Sequence, residues 1–299
     1  MNFERIMPLA FVGIWSTGFI AARLVAPWTD PLTFLCYRFI LSIGVFAVLA
    51  LAIRAPWPKS PRAWAHALLA GILLQGVYLG GAFWAVHHGL PAGITSLIVG
   101  LQPLLTALLA LPLLGEHVST RQWVGIGLGF GGALLVLEPQ LMAGIHGLPL
   151  APVIAAVAAM LGITLGTIWQ KRTGASADIR TNATAQFIGA ALVTIPAAWL
   201  TEAGRFEMVW QAWVGLLWSV FGLSVGAISL LLFMIRRGSV ARVASLFYLV
   251  PPVVAVMSYL FFDETLNAIQ ILGMAVAATG VAIASRQPSA AAGQAPRQG

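Results

Sequence analysis

Two stretches of the chain carry proline and serine, and one of them also tyrosine, at spacings that could hold a small polar solute. Pro103 and Pro252 each stand near the middle of an apolar stretch, and Ser96 and Ser245 stand seven residues before them. A proline lacks its backbone N–H and leaves the carbonyl four residues earlier without its helical partner, and one such carbonyl is that of Tyr248. In hydrocarbon a carbonyl of this kind must be satisfied by protein, water or a ligand. The pattern favours a cavity lining, and a simple packing kink is the alternative.

Other stretches offer four further side chains to the same solute. Gln75 and Tyr78 lie three residues apart, so a helix places them on one face, and a glutamine in the middle of a membrane is costly without a partner. That partner is either a solute or a neighbouring helix. Trp15 and Trp169 add aromatic surface, which suits a solute with an apolar side chain and a polar or zwitterionic end. The predicted substrate-binding residues are therefore Trp15, Gln75, Tyr78, Ser96, Pro103, Trp169, Ser245, Tyr248 and Pro252.

The composition shows what kind of element must position these residues. Of 299 residues, 60% are apolar and only 8% are charged, and the mean hydropathy is +0.92, whereas soluble domains carry roughly 25% charged residues. Cys36 is the single cysteine, so there is no disulfide framework. The net charge of +7 comes without a basic cluster longer than two residues, and we expect no nucleic-acid partner. The composition indicates an integral membrane protein.

The apolar stretches predict the number of membrane crossings. A helix that crosses a membrane needs ~20 mostly apolar residues, and the chain contains ten such stretches. We therefore predict an all-α integral membrane fold of ten transmembrane helices. Residues 286–299 have no apolar period and are predicted to form a disordered cytoplasmic tail. The predicted spans are 6–25, 31–53, 64–86, 93–113, 119–137, 150–170, 181–200, 210–234, 240–262 and 267–285.

The distribution of Lys and Arg predicts which ends of the spans face the cytoplasm. Basic residues are retained preferentially on the cytoplasmic side, and with a cytoplasmic N-terminus thirteen of the 16 basic residues fall in inside segments. Arg23 and Arg205 fall outside, and Arg38 lies within the second span. We therefore predict a multi-pass protein of the bacterial inner membrane, with both termini in the cytoplasm.

This orientation predicts the outcome of reporter fusions. Fusions after residues 60, 120 and 240 should report a cytoplasmic position, and fusions after residues 90 and 205 an external one. The measurement is the paired activity of one reporter that works only in the cytoplasm and another that works only outside it. An external signal from the fusion after residue 240 would contradict the orientation.

The second half of the chain repeats the first. Each half has five spans, and because five is odd the second half must enter the membrane upside down. Inverted repeats are an architecture of secondary transporters, and we predict two five-helix domains at 1–145 and 146–285. Residues that recur at an offset of 149, or of 148 after a one-residue gap, include the pairs Gly13 and Gly162, Arg23 and Arg172, Gly89 and Gly238, Pro103 and Pro252, Glu116 and Glu264, Gly125 and Gly273, and Gly132 and Gly280.

Two features within the spans have both a structural and a functional interpretation. Arg38 is about two helical turns from the outer end of its span, so its side chain either reaches the lipid headgroups or attracts an anion such as a carboxylate. The fifth span contains Gly125, Gly127, Gly129, Gly131 and Gly132, which include overlapping small-xxx-small pairs. Small residues at this spacing let helix backbones approach closely, which predicts a packing role for the fifth and tenth spans.

The repeat ends carry a motif with a known counterpart. Leu-Gly-Glu at 114–116 and Asp-Glu at 263–264 end the fourth span of each half, and a glycine-rich helix follows at 125–132. With ten spans in two repeats, the chain resembles the drug/metabolite transporter superfamily over residues 6–285, and its EamA-type branch in particular. In length and tryptophan content it is similar to bacterial amino-acid exporters of that branch. The resemblance implies a secondary transporter.

Missing motifs narrow the function further. The chain has no GxxxxGK[ST] loop, and its only lysines are Lys59 and Lys171, so it encodes no ATP motor. Its acidic residues lie in tails, loops or span ends, whereas ion-driven carriers usually place a carboxylate within the membrane. The sequence contains no convincing constellation for catalysis or metal binding, so we expect no enzyme activity, metal or cofactor.

The functional hypothesis is an exporter of small neutral or zwitterionic metabolites, foremost amino acids with aromatic or other apolar side chains. It would work as a monomer in the lipid bilayer, by alternating access around a midplane cavity and without ion coupling. The alternative is a carrier of another substrate class, such as nucleotide-sugars, lipid-linked compounds or drugs, within the same fold and with proton coupling.

Overall fold

The computed structural model describes residues 3–90, 95, 98–138, 149–174, 177–237, 240–262 and 266–285. Within these ranges the chain forms ten helical segments, and β geometry is confined to an isolated bridge between Thr29 and Phe206. The predicted all-α, ten-helix fold is confirmed. Its helices are α1 (Phe3–Val25), α2 (Pro31–Ala52), α3 (Pro61–His87), α4 (Gln102–Leu114), α5 (Thr120–Val136), α6 (Leu150–Thr173), α7 (Ile179–Thr201), α8 (Trp210–Arg237), α9 (Val240–Phe261) and α10 (Ala268–Ser285).

Seven of these helices are long and apolar enough to cross a membrane by length and composition: α1, α2, α3, α6, α7, α8 and α9. The helix α4 has 13 residues and is shorter than these seven helices. It begins at Gln102, within the predicted fourth span of residues 93–113. The start of that span and the tail 286–299 lie outside the described residues.

The helix contacts follow an approximate two-fold symmetry between the halves. The helix α2 packs against α7, and α5 packs against α10. The helix α1 packs against α8 and α9, just as its counterpart α6 packs against α3 and α4. Exchanging each of these helices with the helix five places along the chain reproduces each of these contacts. This is the packing of two inverted five-helix repeats.

The α5–α10 pair is joined along a seam of small residues. A Cβ atom added to Gly125 would lie 2.6 Å from the carbonyl oxygen of Gly280, and one added to Gly132 would lie 2.7 Å from the carbonyl oxygen of Gly273. Gly129 in turn lies against Gly280 and the ring of Tyr248. Backbones at this separation leave no room for side chains, so Gly125, Gly129 and Gly132 contact α10 or α9 directly.

The α2–α7 pair is joined at both ends by equivalent hydrogen bonds. At one end Glu202, just after α7, accepts hydrogen bonds from the backbone N–H groups of Leu32 and Thr33 (2.7 Å each) and from the Thr33 hydroxyl (2.8 Å). At the other end the Thr181 hydroxyl donates to the carbonyl of Pro56, just after α2 (3.0 Å). Each helix start is thereby bonded to the end of its partner. Under the 149-residue offset of the repeat, Thr33 aligns with Asn182, the neighbour of Thr181.

The helices α3 and α8 are wound alike in their middle turns. Both contain a π-helical segment, Ile72–Val77 in α3 and Ser219–Ile228 in α8. The two segments coincide under the 149-residue offset, which aligns Gln75 with Ser224. Such segments are uncommon and occur frequently at functional sites, so the middle of both helices belongs to the region searched below.

Candidate solute-binding site

The helices α4 and α9 are both interrupted beside their prolines. The helix α4 begins at Gln102, after a turn at Gly100 and Leu101, and Pro103 is in its first turn. In α9 a 3₁₀ segment, Leu246–Leu249, comes just before Pro251 and Pro252. A proline in the first turn of a helix sacrifices no hydrogen bond, since that N–H has no helical partner.

Ser245, predicted to accompany Pro252, does not present an open polar face. The Ser245 hydroxyl donates to the carbonyl of Arg242 within its own helix (2.8 Å), and its side chain is fully buried. Ser96 lies outside the described residues. Pro103 and Pro252 are both buried, so these prolines shape the helices without presenting an exposed ring.

Three aromatic rings meet near the middle of the bundle. Trp15 of α1 has its ring centroid 5.3 Å from that of Phe11 and 5.4 Å from that of Phe247 in α9, and the Phe11 and Phe247 centroids are 5.5 Å apart. The two contacts of Phe247 are edge-to-face, with interplanar angles of 78° and 89°, a geometry that aromatic pairs prefer. We refer to Phe11, Trp15 and Phe247 as the central aromatic cluster.

The central aromatic cluster lies where two hydrophobic cores meet. One core is built mainly from α2, α3, α6, α7 and α8, and the other mainly from α1, α4, α5, α8, α9 and α10. Trp15 and Phe247 are only partly buried, and both pack against both cores. Partly exposed rings between two packed bodies are the surface that a solute would contact when those bodies separate.

Polar groups adjoin this region on α3. Tyr78 is 8% exposed and belongs to the core that Trp15 packs against. Gln75, one turn earlier in the π-helical segment, is 3% exposed, and its Oε1 atom accepts no hydrogen bond from the residues described. An unsatisfied buried carbonyl costs free energy, so Gln75 has an acceptor available for a solute.

Two predicted site residues lie elsewhere. Tyr248 is 1% exposed, and its ring lies against Gly129 and Phe130 of α5 instead of the central aromatic cluster. The indole N–H of Trp169 donates to the carbonyl of His66 at 3.2 Å, near the start of α3. Both residues therefore have packing or anchoring contacts. Tyr248 belongs to the second core, against which Trp15 also packs, whereas Trp169 is anchored to α3.

Sequence reasoning missed Phe11 and Phe247. A phenylalanine within an apolar span has no signal that separates a lipid-facing position from an interior one. Their repeat positions offered no help, because the residues 149 places away from them are Met160 and Ile98, which are also apolar.

Glu116 joins three helices at one end of the bundle. Gly115 ends α4 in the left-handed conformation, at φ 69°, and Glu116 follows it. The Oε2 atom of Glu116 accepts a hydrogen bond from the backbone N–H of Val240, the first residue of α9 (3.0 Å), and Oε1 lies 3.7 Å from Nζ of Lys171 in α6. A carboxylate at a helix N-terminus is favourable. Glu116 thus joins the ends of α4, α6 and α9 on the side that the basic residues assign to the cytoplasm.

Comparison with known proteins gives a consistent result. The model of the EamA-like transporter family matches the chain twice, at residues 5–138 and 150–286. The uncharacterized transporter YvbV of Bacillus subtilis is 25% identical, with 94% of this chain and 92% of that protein covered. A probable amino-acid metabolite efflux pump of Escherichia coli is 26% identical, with 94% of each chain covered.

A solved crystal structure matches the fold. Its TM-score is 0.79 at 19% sequence identity, and the match covers 94% of this chain and 96% of that one. At this identity the match shows a shared arrangement of helices and no more.

Proposed function

Because the chain belongs to the EamA-like transporter family, we propose that it exports small neutral or zwitterionic metabolites, in particular amino acids with aromatic or other apolar side chains. The observation that carries this proposal is the central aromatic cluster, in which the partly exposed rings of Trp15 and Phe247 pack against both cores. Aromatic rings bind apolar side chains well. Gln75 and Tyr78 supply polar groups for the zwitterionic end of the solute.

Alternating access is the mechanism we propose for the export step. The helices of the two repeats, residues 1–145 and 146–285, would exchange conformations between the inward-open and outward-open states, and the interrupted helices α4 and α9 would face each other across the solute. Glu116 belongs to the first repeat, whereas Val240 and Lys171 belong to the second. We expect Glu116 to release its partners when the protein opens toward the cytoplasm and to regain them when it closes.

We further propose that transport needs no coupling ion. Within the described stretches of the membrane helices, no carboxylate is buried at the midplane, and a carboxylate there is the usual ion or proton site. Net export then follows from accumulation of the solute in the cell. The Escherichia coli relative is named as a probable efflux pump, which supports transport in the outward direction.

A carrier of nucleotide-sugars or other phosphorylated compounds is the less favoured alternative. Such substrates require two or more cations in the cavity to offset their charge. Arg38 is the buried basic residue of the described part of the chain, which suits a substrate with a single anionic group at most.

Transport by the purified protein in liposomes tests the proposal. Liposomes loaded with phenylalanine and diluted into phenylalanine-free buffer should release it without any ion gradient, and flux in the reverse direction should occur until the two concentrations match. Accumulation against the phenylalanine gradient, when a pH or sodium gradient is imposed, would contradict uncoupled transport.

A pair of tryptophan variants tests the location of the path. Trp15→Ala removes the ring that contacts Phe11 and Phe247, and the flux should fall by roughly tenfold because aromatic contacts contribute about 0.5–1.5 kcal/mol each beyond their buried area. Trp199→Ala is the control, since Trp199 is 83% exposed on the outer surface of the bundle, and its flux should be unchanged. If both variants transport like the wild type, the solute does not pass the central aromatic cluster.

A further inference from the structure

Arg38 is held in the interior of the bundle and away from the lipid headgroups. Its side chain is 5% exposed, and its Nε–H donates to the Ser224 hydroxyl of α8 at 3.1 Å. Ser224 in turn donates to the carbonyl of Ser219 inside the π-helical segment of α8 (3.1 Å). The interpretation that this side chain reaches the headgroups is therefore wrong. Ser224 fixes one edge of the guanidinium and leaves its terminal nitrogens unanchored.

No carboxylate in the described part of the chain balances this charge. Arg38 makes no ion pair there, and the side chain that interacts with it electrostatically is the phenol of Tyr78. The acidic residues beside the start of α2 have other partners. Glu202 accepts hydrogen bonds from Leu32 and Thr33, and Asp30 accepts one from the backbone N–H of Arg205 (2.8 Å).

A buried cation without a counter-charge is costly, and intramembrane arginines usually have a partner. The guanidinium is planar and presents pairs of N–H groups whose spacing matches the two oxygens of a carboxylate. With Nε bonded to Ser224, the two terminal nitrogens are the donors that remain for such an anion.

We propose that Arg38 binds the carboxylate of the transported solute, with Ser224 as the positioning residue that holds the guanidinium. This inference rests on the proposed transport function and specifies its substrate class, because it requires a solute with a free carboxylate. Tyr78 and Gln75 lie one turn apart on α3, so the same helix turn brings a phenol and an amide acceptor to the bound solute.

The test uses matched solutes with and without the carboxylate in the liposome assay. The first pair is phenylalanine and phenylalaninamide, and the second pair is 3-phenylpropionate and its amide, which lack the ammonium group. The wild type should carry the acid of at least one pair about tenfold faster than its amide, since hydrogen bonds to charged groups are strong. Arg38→Met and Arg38→Gln should each abolish that preference.

Three further variants separate recognition from folding. Arg38→Lys keeps the charge but loses the two-pronged geometry, so it should retain part of the preference. Ser224→Ala should weaken the preference for the acid over the amide. Arg23→Gln, at an exposed arginine near the outer end of α1, is the matched control and should behave as the wild type. Thermal melting of each purified variant shows whether it is folded.

The outcomes distinguish this inference from the general proposal. Equal flux of acid and amide in the wild type, or an unchanged preference in folded Arg38→Met and Arg38→Gln, overturns the role of Arg38 and leaves amino-acid transport standing. An Arg38-dependent preference seen only with 3-phenylpropionate supports Arg38 and overturns amino-acid specificity. If none of the four solutes is transported and neither acid raises the melting temperature, both the proposed transport function and the role of Arg38 are wrong.

Discussion

Replacing Gly132 by leucine is expected to abolish most of the folded protein in the membrane. A Cβ atom at this position would lie 2.7 Å from the Gly273 carbonyl oxygen and 2.7 Å from the Ala277 Cα atom. Both are backbone atoms of α10 and cannot rotate away, so the whole α5–α10 pair would have to separate. Overpacking of a tight interface costs about 1–3 kcal/mol or more, and we expect the folded yield to fall by about tenfold.

A second glycine of the same helix provides the matched control. Gly127 is exposed, and a Cβ atom added there would meet nothing within 4 Å, so Gly127→Leu should fold normally. The measurement is size-exclusion chromatography of a fluorescent fusion, followed by thermal melting of the monodisperse fraction. Equal yields and equal melting temperatures for Gly127→Leu and Gly132→Leu would contradict the close packing of α5 against α10.

Replacing Glu116 by glutamine is the second substitution with a large expected effect. It removes the negative charge that caps the first residue of α9, Val240, and pairs with Lys171. The glutamine amide can still accept one hydrogen bond, but charge-assisted bonds are about twice as strong as neutral ones. The closed state at this end should lose roughly 1 kcal/mol or more, and the cytoplasmic end should open more often.

Cysteine labelling measures this opening directly. Ala241 is 2% exposed in the closed arrangement, and an Ala241→Cys reporter in a Cys36→Ser background gives the chain one cysteine. Its reaction with a membrane-impermeant maleimide in inside-out vesicles should become about fivefold to tenfold faster in Glu116→Gln. Glu207→Gln, which affects an exposed carboxylate 3.8 Å from Arg205, should leave the rate unchanged. Unchanged labelling in Glu116→Gln would show that Glu116 does not hold this end shut.

Sequence reasoning identified where the chain forms helices and where it interrupts them. The ten apolar stretches became the ten helices because length and apolarity alone decide whether a segment can remain helical in hydrocarbon. The breaks before Pro103 and Pro252 followed from local backbone chemistry, since a missing N–H has the same consequence in any surroundings. Gly125, Gly129 and Gly132 of α5 were interpreted correctly as packing residues, because absence of a side chain is itself a local property, whereas Gly127 and Gly131 of the same motif make no such contact.

Only the tertiary structure decided which face of each helix is turned inward. Tyr248 and Phe247 are neighbours in the sequence, yet Phe247 joins the central aromatic cluster and Tyr248 packs against α5. The 3₁₀ segment that contains both residues sets their directions. A membrane helix is apolar all round, so no hydrophobic stripe distinguishes the interior face from the lipid face, as it would in a soluble protein. Arg38 illustrates the same limit: its residue type marked it as unusual, but the hydrogen bond to Ser224, 186 residues away, was required to show that it faces the interior.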